Sequence, residues 1–133
     1  MTRVLHILDH SLPLHSGYTF RTRAILKSLQ GAGVEVRGIT GQRHFAEGPP
    51  VEEVEGLTFH RTPGEPSGQP VWREWREIEA LRARIEQVAH EWRPDIIHAH
   101  SPALCGMAGL RAARRLRLPF VYEIRAFWED AAV

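Results

Sequence analysis

Cysteine is nearly absent from this 133-residue chain: Cys105 stands alone, so no internal disulfide can form, and a reduced compartment suits it. Its setting among small residues reads as a core position rather than a reactive thiol. An excess of one charge is missing too. Seventeen Lys and Arg face sixteen Asp and Glu, a formal net charge of +1, which supplies no overall field for nucleic acid. No apolar run approaches the roughly 18–20 residues that cross a membrane, and the stretch after Met1 is too short for a signal peptide and lacks a small-residue cleavage site. Internal repeats and low-complexity tracts are also lacking. Together these absences predict a cytoplasmic protein without a nucleic-acid partner, while leaving peripheral contact with the inner face of a membrane open. Two nucleotide-binding loops are excluded as well, because neither Gly-x-x-x-x-Gly-Lys nor G-x-G-x-x-G occurs.

What is present is an alternation of apolar runs and helical periods, in a chain whose 43% hydrophobic composition can build one domain with a real core. Val4 to Leu8 reads as a buried strand. After a loop with Pro13 and Gly17, the residues Tyr18, Phe20, Ala24, Ile25 and Leu29 recur at helical spacing as far as Gly31-Ala-Gly33, a helix stop. Val34 to Thr40 resumes as a strand, completing a right-handed βαβ unit. Gly41 to Val54, with Gly48-Pro49-Pro50 and mixed charge, reads as a surface loop, and Glu55-Gly56 as a turn into a strand at Leu57 to Thr62. Another loop rich in Pro and Gly leads to Val71 to Trp92. There Trp72, Trp75, Ile78, Leu81, Ile85, Val88 and Trp92 make an apolar face expected to pack on the sheet, with a solvated face of alternating charges opposite. Asp95 to His100 is a strand, Leu104 to Leu116 a helix rich in Ala and Gly, and Pro119 opens the last strand. The expected fold is α/β: a Rossmann-like three-layer α/β/α arrangement with a mainly parallel five-stranded sheet and three helices. A buried strand of this kind normally feeds a helix that returns over the sheet, so the chain is expected to be part of a larger protein.

In open parallel sheets ligands bind beyond the carboxyl ends of the strands. Ionisable groups gather there: Asp9-His10 after the first strand, His98-Ala-His100-Ser101 after the fourth, and Glu123-Ile-Arg125 after the last. The segment His15-Ser-Gly-Tyr-Thr-Phe-Arg21 adds a glycine and a helix N-terminus, where free amides and the dipole suit an anion. His98 and His100 share one face of their strand. A zinc pair is disfavoured, since no Cys or carboxylate stands nearby at ligand spacing. One histidine is expected to bond within the fold and His100, at the strand end, to meet the ligand. Glu123 and Arg125 also share a face, as an ion pair or as a site that positions hydroxyls and phosphates. His6, His44, His60 and His90 read as ordinary histidines.

Several of these segments carry a family resemblance: Arg3-Val-Leu-His-Ile-Leu-Asp9, the Ser16-Gly17 loop, Val54-Glu-Gly-Leu-Thr-Phe-His-Arg-Thr-Pro63, Arg93-Pro-Asp-Ile-Ile-His-Ala-His-Ser101 and Pro119-Phe-Val-Tyr-Glu-Ile-Arg-Ala-Phe-Trp128. Together they resemble the amino-terminal domain of group 1, or family 4, GT-B glycosyltransferases. Leu8 to Thr19 with Phe127-Trp-Glu-Asp130 resembles the exopolysaccharide enzymes of exosortase (PEP-CTERM) systems. The resemblance implies that residues 1–133 are an acceptor-side half, with a separate donor-binding domain that carries two glutamates separated by seven residues. It implies transfer of a hexose with retention, from a nucleotide sugar that is a substrate and not a cofactor, without metal. The acceptor it implies is a glycan or lipid-linked glycan.

On that resemblance Ser16 and Gly17 match a glycine-glycine loop near the donor phosphates, and Arg125 stands where many relatives carry histidine. Arg125 and Glu123 become the catalytic candidates. Ser16, Gly17, Tyr18, Arg21, His100 and Ser101 become the substrate-binding ones. This half alone is expected to be inactive, and an open cleft would favour self-association. Two other readings compete: a self-contained flavodoxin-like or receiver-like module, for which Lys27 is badly placed inside a helix, and a metal-dependent hydrolase built on the eight histidines.

Overall fold

The computed structural model describes residues 2–44, 48–64 and 68–124. Along the chain it runs β1 (Arg3–Leu8), α1 (Gly17–Gly31), β2 (Glu35–Thr40), β3 (Val51–Val54), β4 (Leu57–Arg61), α2 (Pro70–Trp92), β5 (Ile96–His100), α3 (Ala103–Leu116) and β6 (Phe120–Glu123). The strands form one sheet in the order β3-β4-β2-β1-β5-β6, parallel except for β3. The sheet thus has six strands where the sequence predicts five. The addition is β3, in the segment expected to be a loop. It pairs antiparallel with β4 across Glu55 and Gly56, whose φ values of 52° and 78° make a turn with both central residues left-handed. Such an edge strand of four residues has too little apolar character to announce itself.

Helix ends follow their local chemistry. Ser16 caps α1 by accepting a bond from Thr19 N, and the far end closes with Gly33 N donating to Gln30 O and Val34 N to Leu29 O, the left-handed Gly33 making the turn. Pro70 opens α2, where its missing N–H costs nothing, and Pro94 prevents its continuation.

Alternation sorts the strands onto two faces. Leu5, Ile7, Ile39, Ile97 and Ala99 point to one side and meet Ile78, Leu81, Ile85, Val88 and Trp92 of α2 with Cys105, Ala108 and Ala112 of α3. Leu8, Val36, Leu57 and Phe59 face the other side and meet Leu26 of α1. At about 1.5–3 kcal/mol for each large side chain, these two layers dominate the stability of the fold. Gly38 lies in register with His6 and Phe59, and an added Cβ would stand 2.6 Å from the Phe59 ring, so glycine is what lets that ring lie across the sheet.

Two helix faces differ from their sequence reading. In α1 the buried stripe is Thr19, Thr22 and Leu26, while Phe20 is 40% exposed, because the helix turns its small hydroxyl residues toward the crowded sheet edge. In α2 the stripe begins only at Glu77. Val71, Trp72 and Trp75 are exposed by 78%, 65% and 44%, since the first two turns lie beyond the packed layer. Cys105 is buried as expected.

Candidate functional site

β1 is flanked by β2, which follows it, and by β5, to which the chain returns after building the other side. The loop leaving β1 feeds α1 on one face, and the loop leaving β5 feeds α3 on the other. Between them the carboxyl edge opens into a crevice, the place where doubly wound sheets bind ligands.

Tyr18 spans this crevice. Its hydroxyl donates to Ser101 O at 2.9 Å and accepts from Asp9 N at 3.2 Å, so one side chain of α1 ties the ends of β1 and β5 together. Alongside it runs a chain of polar contacts that sequence reasoning missed. His10 Nδ1 stands 2.9 Å from Asp9 Oδ2, and His10 Nε2 stands 2.9 Å from Ser16 Oγ. Ser16 Oγ also lies 2.9 Å from Thr19 Oγ1. The Asp9 carboxylate thereby orients the His10 ring toward the cap of α1. The signal available in the sequence was the adjacency of Asp9 and His10 six residues before a serine. An added Cβ at Gly17 meets nothing within 4 Å, so the first residue of α1 is open.

The loop itself is clamped from outside. Arg61, at the end of β4, reaches Ser11 Oγ at 2.5 Å, Leu12 O at 2.6 Å and Glu52 Oε2 at 2.9 Å. Burial lowers the pKa of this guanidinium, and the Glu52 carboxylate opposes that shift. His44 accepts from Ser11 N at 3.3 Å, a role that requires a neutral ring. Burial first, and then the Arg61 charge, lower its pKa to about 4. On the outer side Arg43 forks onto the buried Glu77 carboxylate, with both contacts at 3.2 Å, and anchors α2 to the loop after β2. The bond to Glu77 raises the pKa of Arg43.

On the β5 side, His100 is fully buried and His98 is partly open, the reverse of the expected arrangement. His100 Nε2 lies 2.8 Å from His6 Nδ1. Glu123 approaches both strand histidines, with Oε1 3.4 Å from His98 Nε2 and Oε2 3.5 Å from His100 Nδ1. His6 is therefore no ordinary core histidine; it belongs to the same cluster.

The structure thus brings Ser16, Gly17, Tyr18, His100, Ser101 and Glu123 to one edge of the sheet. Arg21 is exposed on α1. Arg125 lies outside the described residues.

A doubly wound, mainly parallel sheet with polar groups gathered at its switch point defines a Rossmann-like α/β domain. A family model described as a Glycosyl transferase 4-like domain matches residues 16–133, and the chain belongs to that family. Its GT-B class displaces the flavodoxin-like and receiver-like alternatives. The GDP-mannose-dependent alpha-mannosyltransferase of Mycolicibacterium smegmatis is 31% identical over 136 residues, covering 98% of this chain and 33% of the relative. The enzyme of the same description in Mycobacterium tuberculosis is 32% identical over 127 residues, with 90% and 31% covered. The chain therefore spans about a third of the length of these relatives. Among solved structures, the catalytic domain of starch synthase IV from Arabidopsis thaliana, bound to ADP and acarbose, superposes with a TM-score of 0.67 at 18% identity, covering 93% of this chain and 34% of that one. Sucrose-phosphate synthase from Thermosynechococcus elongatus gives 0.65 at 16%, with 93% and 32% covered. At these identities the likeness is one of fold.

Proposed function

We propose that this chain is the acceptor-side half of a retaining glycosyltransferase, which moves a hexose from a nucleoside-diphosphate sugar to a glycan or lipid-linked acceptor in exopolysaccharide assembly. The observation that carries the reading is the crevice at the β1–β5 switch point, bridged by Tyr18, in a chain of this family. Both mannosyltransferase relatives are described as dependent on GDP-mannose, which makes that donor the first to test.

Transfer with retention needs an acceptor hydroxyl on the same face as the departing phosphate and a positive environment for the leaving charge. The open first turn of α1 at Gly17 supplies amides and the helix dipole toward the phosphate. Arg125 adds full charge to that stabilisation. Glu123, half-exposed at the crevice wall, orients the acceptor hydroxyl, while Tyr18 and Ser101 set the width of the crevice. The donor nucleotide is held chiefly by a second domain.

A lipid-linked acceptor would bring the enzyme to a membrane surface. Val71, Trp72, Trp75 and Met107 form an exposed apolar patch at the N-terminal end of α2, with Arg111 stacked 4.3 Å from the Trp75 ring centre. Arg43 ties this end of α2 to the carboxyl edge, so the patch borders the crevice side. Exposed tryptophans beside Arg111, which is itself paired with Glu79, suit the interfacial layer of a lipid surface.

The test is transfer of labelled mannose from GDP-mannose by the full-length protein. Arg125→Ala and Glu123→Gln should each lower turnover by about 100-fold, the usual effect of deleting one stabilising group. Wild-type turnover in either variant removes that residue from the reaction, and a full-length enzyme inert with every nucleotide sugar rejects the reading.

A further inference from the structure

We propose that His6, His98 and His100 form a binding site for a tetrahedral divalent transition ion of the zinc type, with Glu123 beside it. Two adjacent strands build it, and a third flanks it. His6 on β1 pairs in register with His98 on β5, and two residues along β5 the side chain of His100 returns to the same face. Glu123 on β6 is the registered partner of His100, so it joins that face from the other flank. Regular strand pairing, not a loop, therefore sets the ligand positions.

The distances suit the ion. One ring nitrogen from each histidine can be chosen so that all three lie within 4.8 Å of one another. Tetrahedral ligands on arms of about 2.0–2.1 Å stand about 3.4 Å apart, so the widest of these spacings must close by roughly 1.4 Å. Rotation of the imidazoles about their side-chain torsions covers such a distance. Glu123 stands outside these three ligands, with Oε1 3.4 Å from His98 Nε2 and Oε2 3.5 Å from His100 Nδ1, the ring nitrogen other than the one that meets His6. Three imidazoles form a borderline donor set, with a fourth position left for solvent, that favours zinc or cobalt over magnesium and calcium, which prefer oxygen.

Ring packing holds the three imidazoles together. The rings lie 4.5–5.1 Å apart between centres, those of His98 and His100 only 8° from parallel. Among the described residues, the exposed side of the cluster is that of His98. His6 and His100 are fully buried and form the floor, while His98 and Glu123 keep 19% and 36% of their side chains exposed at the mouth.

This inference does not rest on sugar transfer, and its readout is metal rather than turnover. The purified chain, stripped with a chelator, is titrated with Co2+ and followed by visible absorption, then with Zn2+ in competition. One equivalent of Co2+ should give the intense bands of a four-coordinate ion, displaced by one equivalent of Zn2+. Because His6 and His100 are buried, the informative variants are His98→Ala and Glu123→Gln at the mouth, with folding checked by circular dichroism. Each should weaken Zn2+ binding by about tenfold or more, and His90→Ala, on the exposed side of α2, should bind as wild type does. A weak six-coordinate Co2+ spectrum, or equal Zn2+ affinity in wild type and His98→Ala, overturns the proposal.

Discussion

Acidification from pH 7 to pH 5 should cost this fold about 2 kcal/mol through His60 alone. The side chain is only 3% exposed on β4, and its Nε2 faces Arg37 Nη1 at 3.3 Å. Burial is the largest cause of its shift, followed by the Arg37 and Arg84 charges, and together they lower its pKa from 6.5 to about 4. The folded value lies below the unfolded one, so between these limits the unfolded chain binds more protons. Stability from this group is complete above about pH 6.5 and is lost as pH falls toward 4. At 1.36 kcal/mol per unit the whole gap is worth about 3 kcal/mol, of which about 2 has gone by pH 5. The assay is urea denaturation at pH 7 and pH 5 for wild type and His60→Gln, which preserves an acceptor for Arg37 but cannot titrate. His44, also held near 4, titrates in both proteins and cancels from the comparison. Wild type should lose about 2 kcal/mol more than the variant on acidification. Equal losses would mean that His60 is already charged or solvated in the folded state, and would refute the reasoning.

Two further perturbations probe the crevice and the patch beside it. Arg61→Met removes the clamp on Ser11 and Leu12 and strands the partly buried Glu52 carboxylate; a loss of about 3–5 kcal/mol is expected, with faster hydrogen exchange across residues 11–16. Unchanged exchange in that loop would show that Arg61 does not hold it. Replacing Trp72 and Trp75 together by serine should abolish sedimentation with vesicles containing anionic lipid. Stability should fall by only about 1 kcal/mol, since Trp72 is 65% and Trp75 44% exposed. Equal sedimentation of wild type and variant would count against the membrane contact.

Much of the architecture was legible because apolar runs and helical periods are local signals: Val4 to Leu8, Ile96 to His100 and the buried part of α2 all declare themselves. The candidate residues at the strand ends were legible for a related reason, since a parallel sheet collects its ligands at the carboxyl edge whatever its detailed packing. What escaped was non-local. β3, with Glu52 and Glu53 at its centre, becomes a strand only by pairing with β4. Trp72 and Trp75 continue the helical period of α2, but periodicity does not register that the packed layer has ended.

The amino-acid order by itself determined the α/β alternation, the caps and stops of the helices, and the shared face of His98 and His100, all of which depend on neighbours a few residues apart. Only the tertiary structure decided that β1 lies between β2 and β5, that Tyr18 bridges their loops, and that His6 meets His100 from 94 positions away. The physical reason is strand register: alternation assigns a side chain to a face, but which side chains meet on that face depends on which strands pair and how they align.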